Sequence, residues 1–150
     1  MKYLGWGFGI VALVLVFSYG GLRLSLHKHN ATKLDNLGSN QDKFEELIHR
    51  IHRETPYLVY ITSGYRSTER QKALYKQNTK NARPGSSPHE FKRTIDINLI
   101  GPKGFIRKSD SKRTWQKTGV PKIADELGFR WGGNFNTYHD PVHFDLPNRG

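Results

Sequence analysis

Cysteine is absent from all 150 residues. That excludes a disulfide scaffold and a thiolate metal site, so any bound metal must be held by histidine and carboxylate. Internal repeats and low-complexity tracts are also missing, which excludes a solenoid. Acidic side chains are scarce: 13 Asp and Glu stand against 24 Lys and Arg, for a formal charge of +11. Such a chain is drawn to polyanions, and nucleic acid or a carboxylate- and phosphate-bearing envelope polymer attract it by the same physics.

Long apolar runs are limited to one. Tyr3 to Leu22 reads YLGWGFGIVALVLVFSYGGL, without a charge. About 20 apolar residues in helical form span a hydrocarbon core. Two readings compete. A signal peptide cut near Ser18 and Gly20 has a shorter apolar region, and here the run continues to the cut. A membrane-spanning N-terminal helix over residues 1–22 is the expectation, because five glycines in twenty residues penalise a helix in water. Residues 23–38 are polar and without a clear period and read as a tether, with His27 and His29 as ordinary linker residues. The folded domain is expected over 39–150.

Phe44, Leu47, Ile48 and Ile51 recur at i, i+3, i+4 and i+7, which predicts an amphipathic helix capped by Ser39 with Asp42. His49 and His52 lie on it and read as surface residues. YLVYIT, residues 57–62, predicts a buried strand. Ser67 caps a second helix to about Gln77, with Ala73 and Leu74 facing the core. In the strand 94–99, Ile95, Ile97 and Leu99 point one way and Thr94, Asp96 and Asn98 the other. Residues 101–117 read as an exposed excursion whose Lys103, Arg107, Lys108, Lys112, Arg113 and Lys117 form either a phosphate-tracking strip or a solvated basic loop. A short helix follows from Pro121 to Leu127, stopped by Gly128. Val142, Phe144 and Leu146 alternate with His143 and Asp145 in a last strand. The pattern is α+β, a small antiparallel sheet with flanking helices.

Asp96 and His143 therefore sit on the polar sides of two strands, and His89 lies in the loop before the first. Two imidazoles and a carboxylate form a catalytic zinc shell with a fourth position for water. On spacing alone, the alternative is that Asp96 caps a turn and the histidines occupy a polar rim. His139-Asp140-Pro141-Val142-His143 superficially matches HExxH, but Pro141 and the strand-like alternation after it exclude a shared helical face. His139 is thereby placed outside the metal shell, as a substrate contact or an exposed side chain.

Three segments, SGYRSTERQKALY, SSPHEFKRTIDI and WGGNFNTYHDPVHF, resemble the D-Ala-D-Ala carboxypeptidase and L-alanyl-D-glutamate endopeptidase families. These belong to the lysostaphin, D-Ala-D-Ala peptidase and sonic hedgehog group of zinc folds. Ser87, His89 and Asp96 match S-x-H-x-x-G-x-A-x-D, and Asp140 with His143 matches (D/E)-x-x-H. The resemblance implies that His89, Asp96 and His143 bind Zn2+, that Asp140 is the acid/base, and that Arg66 works near the scissile carbonyl. It also makes Ser87, His139 and Trp131 substrate-binding candidates. Lys92 and Thr94 depart from the family's Gly and Ala. WGGNF followed by D-x-x-HF is most similar to the endopeptidase branch, where Asp140 replaces the glutamate common in the carboxypeptidases.

The function implied is hydrolysis of an amide bond in peptidoglycan stem peptides by a monomer at the cell envelope. The catalytic domain would be membrane-anchored on the periplasmic or extracytoplasmic side, or secreted after signal cleavage. Cleavage of D-Ala-D-Ala is the near alternative, and a non-catalytic wall-binding protein the distant one. No nucleic-acid partner is expected.

Overall fold

The computed structural model describes residues 5–148, with side chains described from residue 20 onward. The apolar run lies in a helix, α1 (Gly5–Leu34), that does not stop where the expected span would end. It is 30 residues long in all and runs on through RLSLHKHNATKL. Among the described residues no helix is long and apolar enough to cross a membrane, so the transmembrane helix and the membrane partner expected from the sequence are corrected. Residues 1–4 of that expected segment lie outside the described residues.

The stretch read as a tether is helix to Leu34, and the helix docks. Leu26, Asn30 and Leu34 are buried, and Leu37 follows in a 3-10 turn over Asp35–Asn40. Their spacing of four, four and three is a helical stripe that the surrounding polar residues mask. α2 (Gln41–Glu54) buries Phe44, Leu47, Ile48 and Ile51 as its periodicity predicts. Its expected Ser39 cap does not form; Asn40 precedes the helix and makes no side-chain cap bond.

The sheet follows strand order β1-β2-β5-β4, with β3 also on β2 and every pairing antiparallel. Its strands are β1 (Leu58–Ser63), β2 (Thr94–Gly101), β3 (Gly104–Ile106), β4 (Arg130–Trp131) and β5 (His143–Asp145). One edge of β2 takes β1; the other is shared by β5 at its start and β3 at its end. Ile95, Ile97 and Leu99 are fully buried with Phe144, Val59 and Ile61 against Phe44, Leu47 and Ile51 of α2. Burying each such side chain contributes roughly 1.5–3 kcal/mol. This places the core on one face and the polar residues of β2 and β5 on the other.

β1 is an edge strand, and its outward backbone groups are met by side chains. Asn30 donates to the Val59 carbonyl at 2.8 Å and accepts from the Ile61 N–H at 3.0 Å. Nε2 of His29 meets the Ile61 carbonyl at 2.8 Å, and His52 Nε2 accepts the Val59 N–H at 3.0 Å. Neither His29 nor His52 is the idle residue its sequence context suggests.

Three shorter helices complete the domain: α3 (Thr68–Gln77), α4 (Lys112–Lys117) and α5 (Val120–Glu126). Ser67 caps α3 as expected by accepting from the Arg70 N–H, but the buried residue of that helix is Gln71; Ala73 and Leu74 are only half-buried. α5 begins at Val120 with Pro121 in its first turn, and Gly128 at φ 80° follows its end. The 101–117 excursion is less free than its composition suggests. It holds β3 and α4, and the wholly buried Trp115 of α4 donates Nε1–H to the Arg107 carbonyl at 2.9 Å.

Candidate metal centre

Asp96 on β2 lies directly opposite His143 on β5 in the antiparallel register. Side chains at opposed positions share a face, so both project from the polar side. His89 arrives from the loop before β2. That loop is folded around Glu90, whose carboxylate accepts the Gly85 N–H at 2.9 and 3.0 Å and the Ser87 N–H at 3.1 Å. Burial raises the Glu90 carboxyl, but these backbone hydrogen bonds and one from Thr68 outweigh it and lower it below its ordinary value. Nothing in the local pattern around Glu90 points to this role.

One ligand atom from each of His89, Asp96 and His143 lies within 4.8 Å of the other two. His89 Nε2 is 3.2 Å from Asp96 Oδ2, and His143 Nδ1 is 3.0 Å from Asp96 Oδ1. Nδ1–H of His89 donates to the Gly64 carbonyl at 2.7 Å, which fixes the orientation of that ring. Thr94 Oγ1 lies against the His143 ring, 3.2 Å from Nε2 and 3.5 Å from Nδ1, and its own proton goes to the Phe144 carbonyl at 2.9 Å. Two imidazoles and a carboxylate thus converge on one point, a donor set that suits a cation. Burial pushes the Asp96 carboxyl up, yet hydrogen bonds and charge from His143 and His89 overcome it and hold it well below the ordinary range.

Lys92 and Thr94, the two departures from the family pattern, leave this geometry intact. Lys92 adopts φ 57°, the left-handed region that a glycine would take, so the loop keeps its path. Its ammonium lies 5.3 Å from the Tyr65 ring centroid. Thr94 is fully buried and supplies the oxygen beside His143.

Arg66 is tied to the centre by its backbone, its N–H donating to the His89 carbonyl at 3.2 Å. Its guanidinium donates to Gln71 Oε1 at 2.8 Å and Ser63 Oγ at 3.1 Å. Gln71, buried, is locked in turn to the Ala82 carbonyl at 2.6 Å. Burial lowers the Arg66 pKa and the Asp96 charge opposes that, but a guanidinium stays protonated throughout the working range. A polar groove of about 410 Å³ passes Arg66, with Thr32 and Lys33 of α1 and Tyr65 and Arg70 on its walls.

Asp140 precedes β5 in a non-helical turn, as the rejection of HExxH requires, and its carbonyl accepts the His143 N–H at 3.1 Å. Its Oδ1 is shielded from water and has no aligned hydrogen bond, while Lys108 Nζ approaches it as an ion pair at 2.8 Å. His139 is exposed, outside the ligand cluster, with Nε2 2.9 Å from the Asp110 carbonyl. Ser87 is 2% exposed and Trp131 5% exposed, so neither presents an open surface. Trp131 instead donates Nε1–H to the Pro141 carbonyl at 2.8 Å.

The glycines of WGGNF are there because of close approach. A Cβ on Gly132 would lie 2.3 Å from the Asp140 carbonyl oxygen and 2.9 Å from His143 Cβ. One on Gly133 would strike the Trp131 indole at 2.2 Å. Phe135 lies beside this strand with its ring centroid 5.7 Å from that of His143.

The chain is similar in sequence and fold to known proteins. A family profile described as D-alanyl-D-alanine carboxypeptidase matches residues 80–146. The peptidoglycan L-alanyl-D-glutamate endopeptidase CwlK of Bacillus subtilis (strain 168) is 36% identical over 102 residues, covering 59% of this chain and 60% of that protein. This chain thus spans about three-fifths of that relative's length. Among solved structures, the L-Ala D-Glu endopeptidase ChiX of Serratia marcescens matches with a TM-score of 0.60 at 21% identity, over 79% of this chain and 86% of that one. The vancomycin-resistance D,D-pentapeptidase VanY, solved as an E175A mutant with Zn(II), matches with a TM-score of 0.52 at 18% identity, over 70% and 68%. These structural likenesses establish the shared fold. The family match and the curated relative uphold the resemblance read from the three sequence segments.

Proposed function

We propose that this chain is a zinc peptidase that hydrolyses an amide bond in peptidoglycan stem peptides, of the L-alanyl-D-glutamate endopeptidase type. The observation that carries this is the convergence of His89, Asp96 and His143 within 4.8 Å, with His89 hydrogen-bonded outward to the Gly64 carbonyl. The similarity to CwlK supports the choice of substrate.

The donor set fits zinc: two imidazole nitrogens and a carboxylate are a hydrolytic shell with room for a fourth ligand. Zinc(II), when bound, supplies a Lewis acid that polarises a carbonyl and brings the pKa of water to about 7. The protein's own residues do the rest. Asp140, in the turn before His143, takes the proton of the attacking water and returns it to the departing amine. Arg66 offers fixed positive charge to the oxygen that becomes anionic. The peptidase chemistry lies within residues 39–150, and its place of work is the cell envelope, where its substrate is.

A second reading, release of terminal D-Ala, is favoured by the description of the matching family. Incubating the protein with purified stem tetrapeptide and pentapeptide, wild type beside His143→Ala, separates the two by product mass. The endopeptidase reading expects L-alanine freed from both. Release of D-Ala alone, from the pentapeptide, overturns it.

A further inference from the structure

Asp140 lies in an irregular turn with its Oδ1 buried, and no hydrogen bond among the described residues aims that oxygen. The group that meets it is the Lys108 ammonium at 2.8 Å. Lys108 is not on a free loop. The strap from Arg107 to Ser111 is fixed at its start by Trp115, whose indole holds the Arg107 carbonyl. It is closed on itself by Asp110, whose Oδ2 accepts the Arg107 N–H at 2.7 Å. It is clipped to the residue next to Asp140 by the contact between the Asp110 carbonyl and His139 at 2.9 Å. Two successive residues, His139 and Asp140, are thus both held by one strap.

We propose that Lys108 is a positioning residue that holds the Asp140 carboxylate in its working rotamer, and that the Arg107–Ser111 strap exists to present it. This rests on the peptidase reading, in which Asp140 carries the proton. The Lys108 side chain is 64% exposed and that of Asp140 16%. An ion pair this open adds little to folding stability, so its purpose is not to hold the domain together. Its value is in orientation: a displacement of about 1 Å at a reacting group can lower a rate about 100-fold. His139, read from sequence as a possible substrate contact, becomes the clasp of the strap.

The test compares full-length zinc-loaded wild type with Lys108→Met and Lys108→Arg. Expected for Lys108→Met is a kcat reduced about tenfold or more with KM within about twofold, and recovery of most of kcat in Lys108→Arg. Zinc content and Tm stay at wild-type values. A crystal structure of Lys108→Met is expected to show the Asp140 side chain in more than one rotamer. Unchanged kcat, or a rise in KM alone, overturns the proposal; the latter would make Lys108 a substrate contact. If the wild type cleaves no stem peptide, the peptidase reading fails. The Asp140 rotamers then decide the positioning claim: a single wild-type rotamer in Lys108→Met rejects it.

Discussion

The Thr94 hydroxyl lies against the His143 imidazole, 3.2 Å from Nε2 and 3.5 Å from Nδ1, and gives its own proton to the Phe144 carbonyl. The side chain at this departure from the family pattern therefore braces one of the three candidate ligands. Groups that hold a ligand in place are typically worth about 10–100-fold in metal affinity. Thr94→Val keeps the volume and removes the hydroxyl. Zinc competition with a chelator is expected to show affinity reduced about tenfold or more, at nearly unchanged far-UV circular dichroism.

Asp140→Asn retains the shape of the turn and removes the base proposed above. Removing a general acid–base group costs about 10²–10⁴ in rate. Steady-state kinetics should show that loss in kcat, while mass spectrometry of the native protein still finds one zinc per chain. His143→Ala should lose both activity and zinc.

Gly132, in the 3-10 turn just after β4, is the point where the chain passes the Asp140 turn. A methyl group there would meet backbone and Cβ atoms that cannot swing aside. Gly132→Ala is expected to destabilise by about 1–3 kcal/mol in denaturant unfolding. Activity should fall more than stability explains, because Asp140 and His143 are the neighbours displaced. Gly85→Ala, whose added Cβ meets nothing within 4 Å, is the comparison, although its φ of 82° carries its own strain.

Lys92 carries a left-handed backbone that costs a non-glycine residue roughly 1–2 kcal/mol. Glycine relieves that strain and forfeits roughly 0.5–1 kcal/mol in unfolded-chain entropy. Lys92→Gly is therefore expected to hold or slightly raise Tm, and Lys92→Val to lower it, because a β-branched residue resists this conformation most. Calorimetry of the pair distinguishes strain from the Tyr65 contact, which both variants lose.

His52 supplies a pH dependence far from the metal. Burial first, then the charges of Arg23 and His49, lower its pKa from 6.5 to about 4 in the folded protein. Between these values the unfolded chain binds more protons, so stability rises with pH through that window and is fully present above 6.5. The shift caps the effect at roughly 3 kcal/mol, and partial exposure reduces it to about 1–2 kcal/mol. Tm should fall as pH drops from 6.5 toward 4, and fall less in His52→Gln, whose amide oxygen can still accept the Val59 N–H.

Much of the site was legible because strands advertise their faces. Alternation around Asp96 and His143 puts both on the polar side, and Pro141 excludes a helical HExxH. The motif match added His89. What stayed hidden depends on contacts between residues distant in sequence. Nothing near Gln71 reveals that it will be buried to hold Arg66, and nothing near Glu90 reveals the nest that bends the loop. Trp131 and Ser87, substrate-binding candidates from the motif match, are both buried, and the Trp131 indole holds the Pro141 carbonyl. The stretch before α2 misled most. An apolar run suggests a bilayer, and the polar run after it suggests a tether, but Leu26, Asn30 and Leu34 form a stripe too sparse to stand out among charges.

That stripe has a consequence for handling the protein. Among the described residues β1 has α1 and no further strand on its outer side, and an open strand edge is a template for joining another chain. Here the edge is stoppered by Asn30, His29 and His52. A fragment starting at residue 39, where the amphipathic pattern first becomes obvious, would discard two of the three stoppers and leave a bare edge. It would be prone to self-association whatever became of its zinc site. A fragment retaining residue 23 onward keeps the edge closed.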